Sequence, residues 1–182
     1  MTHIMTDLET YGLEPGCPVL SIGAVVMGGI SGVASNPQRM LKKHTFYGVA
    51  KLDQSAYGLK PNQATVDFWS KQSEEARKVL TDPTASPLPV MLKQFARWLP
   101  ADARVWGNGA DFDNPILSAA YRACGLPQPW QPYNGRCYRT IKNLAPSIKL
   151  VRQGTHHNAL NDAMSQAEHM ERIVAALGLS LG

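Results

Sequence analysis

Long apolar runs are missing from this chain. No stretch reaches the roughly 18 apolar residues that mark a membrane-spanning helix; the longest, around Val19 to Ile30, is broken by Ser21 and by glycines. Cysteine is sparse too. Cys17, Cys124 and Cys137 are odd in number and far apart, which argues against a disulfide framework and against a structural zinc cluster. The first residues, Met1-Thr2-His3-Ile4-Met5-Thr6-Asp7, lack the basic-then-apolar order of a signal peptide. A reducing, cytoplasmic location is the expectation that follows. Glycine-rich nucleotide loops are absent as well. Gly107-Asn108-Gly109 has no third glycine, and Gly28-Gly29-Ile30-Ser31-Gly32 is not followed by Lys and Ser or Thr. Charge is low, at 18% against 44% hydrophobic residues, and that excludes a disordered chain.

What is present is 182 residues with a mass of 19.9 kDa. The expectation is one domain over 1–182, large enough to bury about 70% of the surface of its unfolded chain. Eighteen Lys and Arg face 14 Asp and Glu, for a net charge of +4. Such a balance permits a polyanionic partner without demanding one.

Residue patterns alternate between strand and helix. Residues 3–8 and Pro18–Met27 read as strands, the second rich in β-branched side chains. The turn-forming Tyr11-Gly12-Leu13-Glu14-Pro15-Gly16 between them predicts an antiparallel hairpin. Gly28–Arg39 reads as an exposed loop and Lys43–Leu52 as a third strand. A helix follows over Asn62–Leu80 with Thr65 as a candidate N-cap, then an amphipathic helix over Leu88–Leu99 closed by Pro100. Arg104–Gly107 reads as a short strand, and Pro115–Cys124, Tyr138–Leu144 and Asn158–Leu177 as helices. A hairpin followed by β–α alternation predicts an α/β fold, a mixed sheet with helices on both faces.

Three segments could carry chemistry. Asp7 and Glu9 alternate on a strand and therefore face one side; paired carboxylates suit a hard cation such as Mg²⁺, though a solvated strand end would look the same. Asp111 and Asp113 follow the strand at Arg104–Gly107, where either could cap the next helix or ligate a metal. His157 and Asp162 are five apart, about 140° around a helix, so His157 is placed in the loop before a helix capped by Asn158. His156 and His157 are a candidate zinc pair, but no third ligand has a convincing spacing. Taken together, four carboxylates and a histidine suit two-metal phosphoryl transfer with the histidine as proton acceptor.

The same residues carry a resemblance to the Asp-Glu-Asp-Asp-His family of 3′–5′ exonucleases. Asp7-Leu8-Glu9-Thr10 resembles the first motif of that family and Gly109-Ala110-Asp111-Phe112-Asp113 the second. His157-Asn158-Ala159-Leu160-Asn161-Asp162-Ala163 resembles the third, His-x-Ala-x-x-Asp-Ala, and the likeness spans about residues 3–177. Ala64–Arg77 is similar to a Thr-Val-x-Trp-Trp segment of compact phage and bacterial members, with Phe68 in place of the first Trp.

The resemblance implies a ribonuclease H-like fold, a five-stranded mixed sheet with one antiparallel strand. It implies that Asp7, Glu9, Asp113 and Asp162 hold two Mg²⁺ or Mn²⁺ ions, with His157 as general base. Leu8, Thr10 and Tyr11 would lie against the 3′-terminal nucleotide of single-stranded DNA or RNA. Asp111 is an extra acid that could compete with Asp113. Of the adjacent aromatics, Trp69 is the expected stacking surface for a terminal base and Phe68 the core residue. Some relatives are dimers, so a homodimer is possible, with Gly28–Lys60 as interface or substrate arm.

Two other functions are open to the same residues: a nucleic-acid-binding module that no longer cleaves, and a zinc-dependent small-molecule hydrolase using His156 and His157. Charge distribution bears on the first. Set the four metal-site acids aside and 18 basic residues face 10 acidic ones. Pro15–Leu52 carries Arg39, Lys42, Lys43 and Lys51 with no acid, and Asn114–Asn161 carries Arg122, Arg136, Arg139, Lys142, Lys149 and Arg152 with none. Such surfaces predict nucleic-acid binding that weakens with salt.

Overall fold

The computed structural model describes residues 1–28 and 44–181. Five strands form one sheet: β1 (Thr2–Thr10), β2 (Val19–Val26), β3 (Thr45–Val49), β4 (Ala103–Gly107) and β5 (Gly135–Cys137), in the order β3-β2-β1-β4-β5. β2 runs antiparallel to both neighbours, while β1, β4 and β5 are parallel. The expected hairpin is present, closed by the Tyr11 amide donating to the Pro18 carbonyl at 2.9 Å. β2 is buried along its whole length, as its unbroken apolar and small residues require of an inner strand.

Six helices flank the sheet among the described residues: α1 (Gln63–Ser70), α2 (Glu74–Arg77), α3 (Leu88–Trp98), α4 (Asp113–Ala123), α5 (Tyr138–Leu144) and α6 (Ala159–Leu177). Alternation along β1 divides the core. Ile4 and Leu8 join Leu92, Phe95, Ile116 and Leu117 from α3 and α4 on one face. Met5 meets Tyr138 of α5 and Ala163 and Met170 of α6 on the other. Asp7 and Glu9 share the parity of Met5, so they project toward α6.

The helix expected over Asn62–Leu80 is divided. Asn62, not Thr65, caps α1 by accepting from the Ala64 amide at 2.9 Å. Ser73 then caps α2 by accepting from Ala76, and Lys78–Leu80 continues as a 3₁₀ turn. A side chain that accepts from backbone amides starts a helix afresh. β5, only Gly-Arg-Cys, carries no strand pattern of its own and is defined by pairing with β4. Apart from Gly28, the expected loop Gly28–Arg39 lies outside the described residues, as do Arg39, Lys42 and Lys43. The proposed arm over Gly28–Lys60 is described only from residue 44, where it contains β3 at the sheet edge.

Candidate active site

Asp7 and Glu9 open onto a cleft of about 530 Å³ at the end of β1, lined also by Leu8, Thr10, Phe68 and His157. Two glycines let the remaining acids approach. Gly23 lies opposite Asp7 in the β1–β2 register. A Cβ there would stand 2.1 Å from the Ala159 carbonyl carbon and 2.2 Å from the Leu160 amide nitrogen, so the bare backbone lets the start of α6 settle onto the sheet. Gly107 does the same at the end of β4, where a Cβ would come within 2.7 Å of the Asp113 Cβ.

Asp162, in the first turn of α6, accepts from the His157 amide at 3.0 Å and from Arg152 Nη1 at 2.7 Å. Gln166, one turn later, donates from Nε2 to Asp7 Oδ1 at 2.7 Å. One oxygen each from Asp7, Glu9 and Asp162 lie within 4.8 Å of one another. Asp113 stands beside this trio with its oxygens held by the Leu8 amide at 3.1 Å and the Asn108 amide at 2.6 Å. It is the first residue of α4 rather than its cap, and Asp111 is exposed and caps nothing.

Electrostatics describe a site short of positive charge. Burial, then Asp113, Glu9 and Asp162, push the Asp7 carboxyl well above the usual range. Burial, then Asp162 and Asp113, push Glu9 up to about 8. Burial raises Asp113 to about 6 against the pull of its backbone hydrogen bonds. Arg152 is the one side chain ion-paired to these four acids among the described residues. Buried carboxylates crowded together are stabilised by a bound cation, and an all-oxygen donor set fits Mg²⁺ or Mn²⁺.

His157 is the only non-glycine residue with positive φ among the described residues, at 62°. That turn sets its ring edge-on to Phe68, with centroids 5.2 Å apart. Burial first, then His156, lowers its pKa, which favours the neutral form able to accept a proton.

The burial of Phe68 and Trp69 is the reverse of the expected order, and Tyr11 differs in place. Trp69 is 1% exposed. It packs with Leu20 and Val79 and donates from Nε1 to the Thr10 carbonyl at 3.0 Å. Phe68 and Trp69 both line the cleft, but Phe68, 41% exposed, is the ring left open to a base. Neighbours on a helix point about 100° apart, and the core took the larger indole. Tyr11 does not line the cleft but packs against the Trp69 cluster, because the register shifts at Glu9/Thr10 and the chain turns away. Gly23, Gly107, Arg152 and Gln166 were not anticipated. A glycine inside a β-branched strand and a polar residue one turn after Asp162 are the signals that could have found Gly23 and Gln166.

A mixed sheet in the order 3-2-1-4-5, with acids from β1, α4 and α6 gathered at the end of its central strand, is the scaffold of a 3′–5′ exonuclease. Within that class the chain belongs to the family described as 3′-5′ exoribonuclease Rv2179c-like domain, which matches residues 2–174.

Solved structures share the fold. The nuclease domain of 3′hExo, a DEDDh family member bound to rAMP, has a TM-score of 0.63 at 14% identity, covering 100% of this chain and 94% of that one. S. pombe Pop2p, in a form with Mg²⁺ and Mn²⁺ bound, has a TM-score of 0.63 at 12% identity, covering 95% and 82%. E. coli Exonuclease I in complex with a dT13 oligonucleotide has a TM-score of 0.63 at 11% identity, covering 95% of this chain and 41% of that one. No curated protein matches the sequence.

Proposed function

We propose that the protein removes nucleoside 5′-monophosphates one at a time from single-stranded 3′ ends, using two Mg²⁺ or Mn²⁺ ions. The observation that carries this reading is the convergence of Asp7, Glu9 and Asp162 within 4.8 Å, with the His157 backbone amide donating to Asp162. The family description favours RNA as the substrate.

Asp7, Glu9, Asp113 and Asp162 would hold the ions. When bound, these lower the pKa of a water molecule and stabilise charge on the leaving oxygen. His157 accepts the proton of the attacking water. Its oxygen bonds to the terminal phosphorus as the P–O bond to the preceding 3′ oxygen breaks, and that oxygen is then protonated. Phe68 offers the terminal base an aromatic face, while Leu8 and Thr10 form the wall beside it.

The test compares matched RNA and DNA single strands, labelled at the 5′ end, with Mg²⁺ present. Wild type is expected to shorten the RNA stepwise and release mononucleotides, and Asp162→Ala to lose that activity by at least about 10²-fold. Undiminished digestion by Asp162→Ala would refute the reading. A catalytically inactive binding module would retain the strand without releasing mononucleotides.

A further inference from the structure

Beside the carboxylates stands a second ligand set of different chemistry. His156 and His157 stack with ring centroids 3.8 Å apart and an interplanar angle of 28°. Ligand atoms from His156, His157 and Asp162 all lie within 4.8 Å of one another. Among the described residues, neither imidazole is engaged in a hydrogen bond through its ring nitrogens. The third ligand that the sequence spacing did not supply is Asp162, brought back to the histidines by the left-handed turn at His157.

We propose that His156, His157 and Asp162 form a second cation site, selective for zinc-class ions and inhibitory when filled. Two imidazoles and one carboxylate, with a fourth position open to water, are a zinc donor set, whereas Mg²⁺ favours oxygen. Around a tetrahedral zinc the donor atoms sit about 3.3 Å apart. His156 is exposed and has room to rotate its ring to that spacing. Asp162 meets the ion by releasing Arg152, whose side chain, 51% exposed, can return its charge to solvent.

Inhibition follows from shared residues. A zinc ion here takes the lone pair of His157 and one oxygen of Asp162. The proton acceptor and one ligand of the oxygen site are then lost together. Zinc binding itself stands on this geometry alone; its inhibitory effect rests on the proposed nuclease reaction.

The experiment is calorimetric titration of the whole chain with Zn²⁺ in the absence of Mg²⁺, for wild type and His156→Ala. Visible absorption of bound Co²⁺ serves as a second reading. Expected are one zinc-binding event weakened at least tenfold by His156→Ala, and a four-coordinate Co²⁺ spectrum that this variant loses. Nuclease assays with Mg²⁺, each protein measured against its own zinc-free activity, are expected to show weaker zinc inhibition of the variant. Equal zinc affinity and equal Co²⁺ spectra in the two proteins would overturn the proposal, placing the ion on Asp7, Glu9 and Asp162 instead. Should wild type fail to release nucleotides with Mg²⁺, the nuclease reading falls, while titration and spectra still decide the zinc site.

Discussion

At the scale of single residues, the site depends on conformations and contacts that type alone does not specify. His157 combines a left-handed backbone with a ring beside Asp162, so the informative substitution preserves the first and removes the second. Asn tolerates positive φ better than other non-glycine residues. His157→Asn is therefore expected to lower kcat by about 10²–10⁴-fold, with Mg²⁺ affinity and Tm close to wild type. Single-turnover kinetics and calorimetry check this, and loss of Mg²⁺ binding would make His157 a ligand instead. The adjacent aromatics separate in the opposite way. Phe68→Ala is expected to raise KM for an oligonucleotide, through loss of stacking worth about 1–3 kcal/mol, with little change in Tm. Trp69→Ala removes a buried indole and is expected to destabilise by about 3–5 kcal/mol. Denaturant titration beside KM measurement distinguishes the two. The motif at Ala64–Arg77 points to both aromatics, but which one stays accessible at the cleft depends on how α1 rests against Leu20 and Val49, and local sequence carries no record of that.

Among elements, α6 matters most. Asn158 caps it by accepting from Asn161 at 3.1 Å, and Asp162 lies in its first turn, where a negative charge is favoured by the helix dipole. Its start reaches the carboxylates of β1 because Gly23 has no side chain. Gly23→Ala is expected to destabilise by about 1–3 kcal/mol or more, since the new methyl would meet backbone rather than a movable side chain. The displaced helix carries Asp162 away from Asp7, so Mg²⁺ affinity is expected to fall as well. Chemical denaturation and a Mg²⁺ titration of the same variant check both effects. Element identity was largely legible: the hairpin, the amphipathic α3 and the helix at Tyr138–Leu144 follow from turn chemistry and periodicity. The break in the helix over Asn62–Leu80 and the existence of β5 were not. The first turns on two capping side chains and the second on pairing with a strand 30 residues earlier in the chain.

At the scale of the whole molecule, a buried knot of acid lies in a chain of 18 basic and 14 acidic residues. Arg122 and Arg136 line a second groove of about 410 Å³, and no acidic residue lines it. The acids have the opposite problem, and pH exposes it. Glu9 is raised from 4.5 to about 8. Below about pH 4.5 folded and unfolded chains both hold this proton; between 4.5 and 8 only the folded chain does, so stability falls as pH rises through that window and levels off above it. The difference in Tm between metal-free wild type and Glu9→Gln is expected to grow in favour of the variant from pH 5 to 8, and Mg²⁺ at pH 8 is expected to restore wild type. A flat difference across that range would mean that Glu9 is not strained by its neighbours.

From sequence alone Asp7, Glu9, Asp113, His157 and Asp162 could be named, with most of the elements that carry them. Both are local matters: a motif of a few residues, a cap, a period of two or of 3.6. Tertiary structure decided what meets. The Leu8 amide reaches Asp113 across 105 residues and Gln166 reaches Asp7 across 159. The orientation of Phe68, the bracing of Asp7 and the convergence of two histidines on Asp162 follow from packing between segments distant in the chain. Each depends on how closely two surfaces can approach, which at Gly23 comes down to the absence of one methyl group.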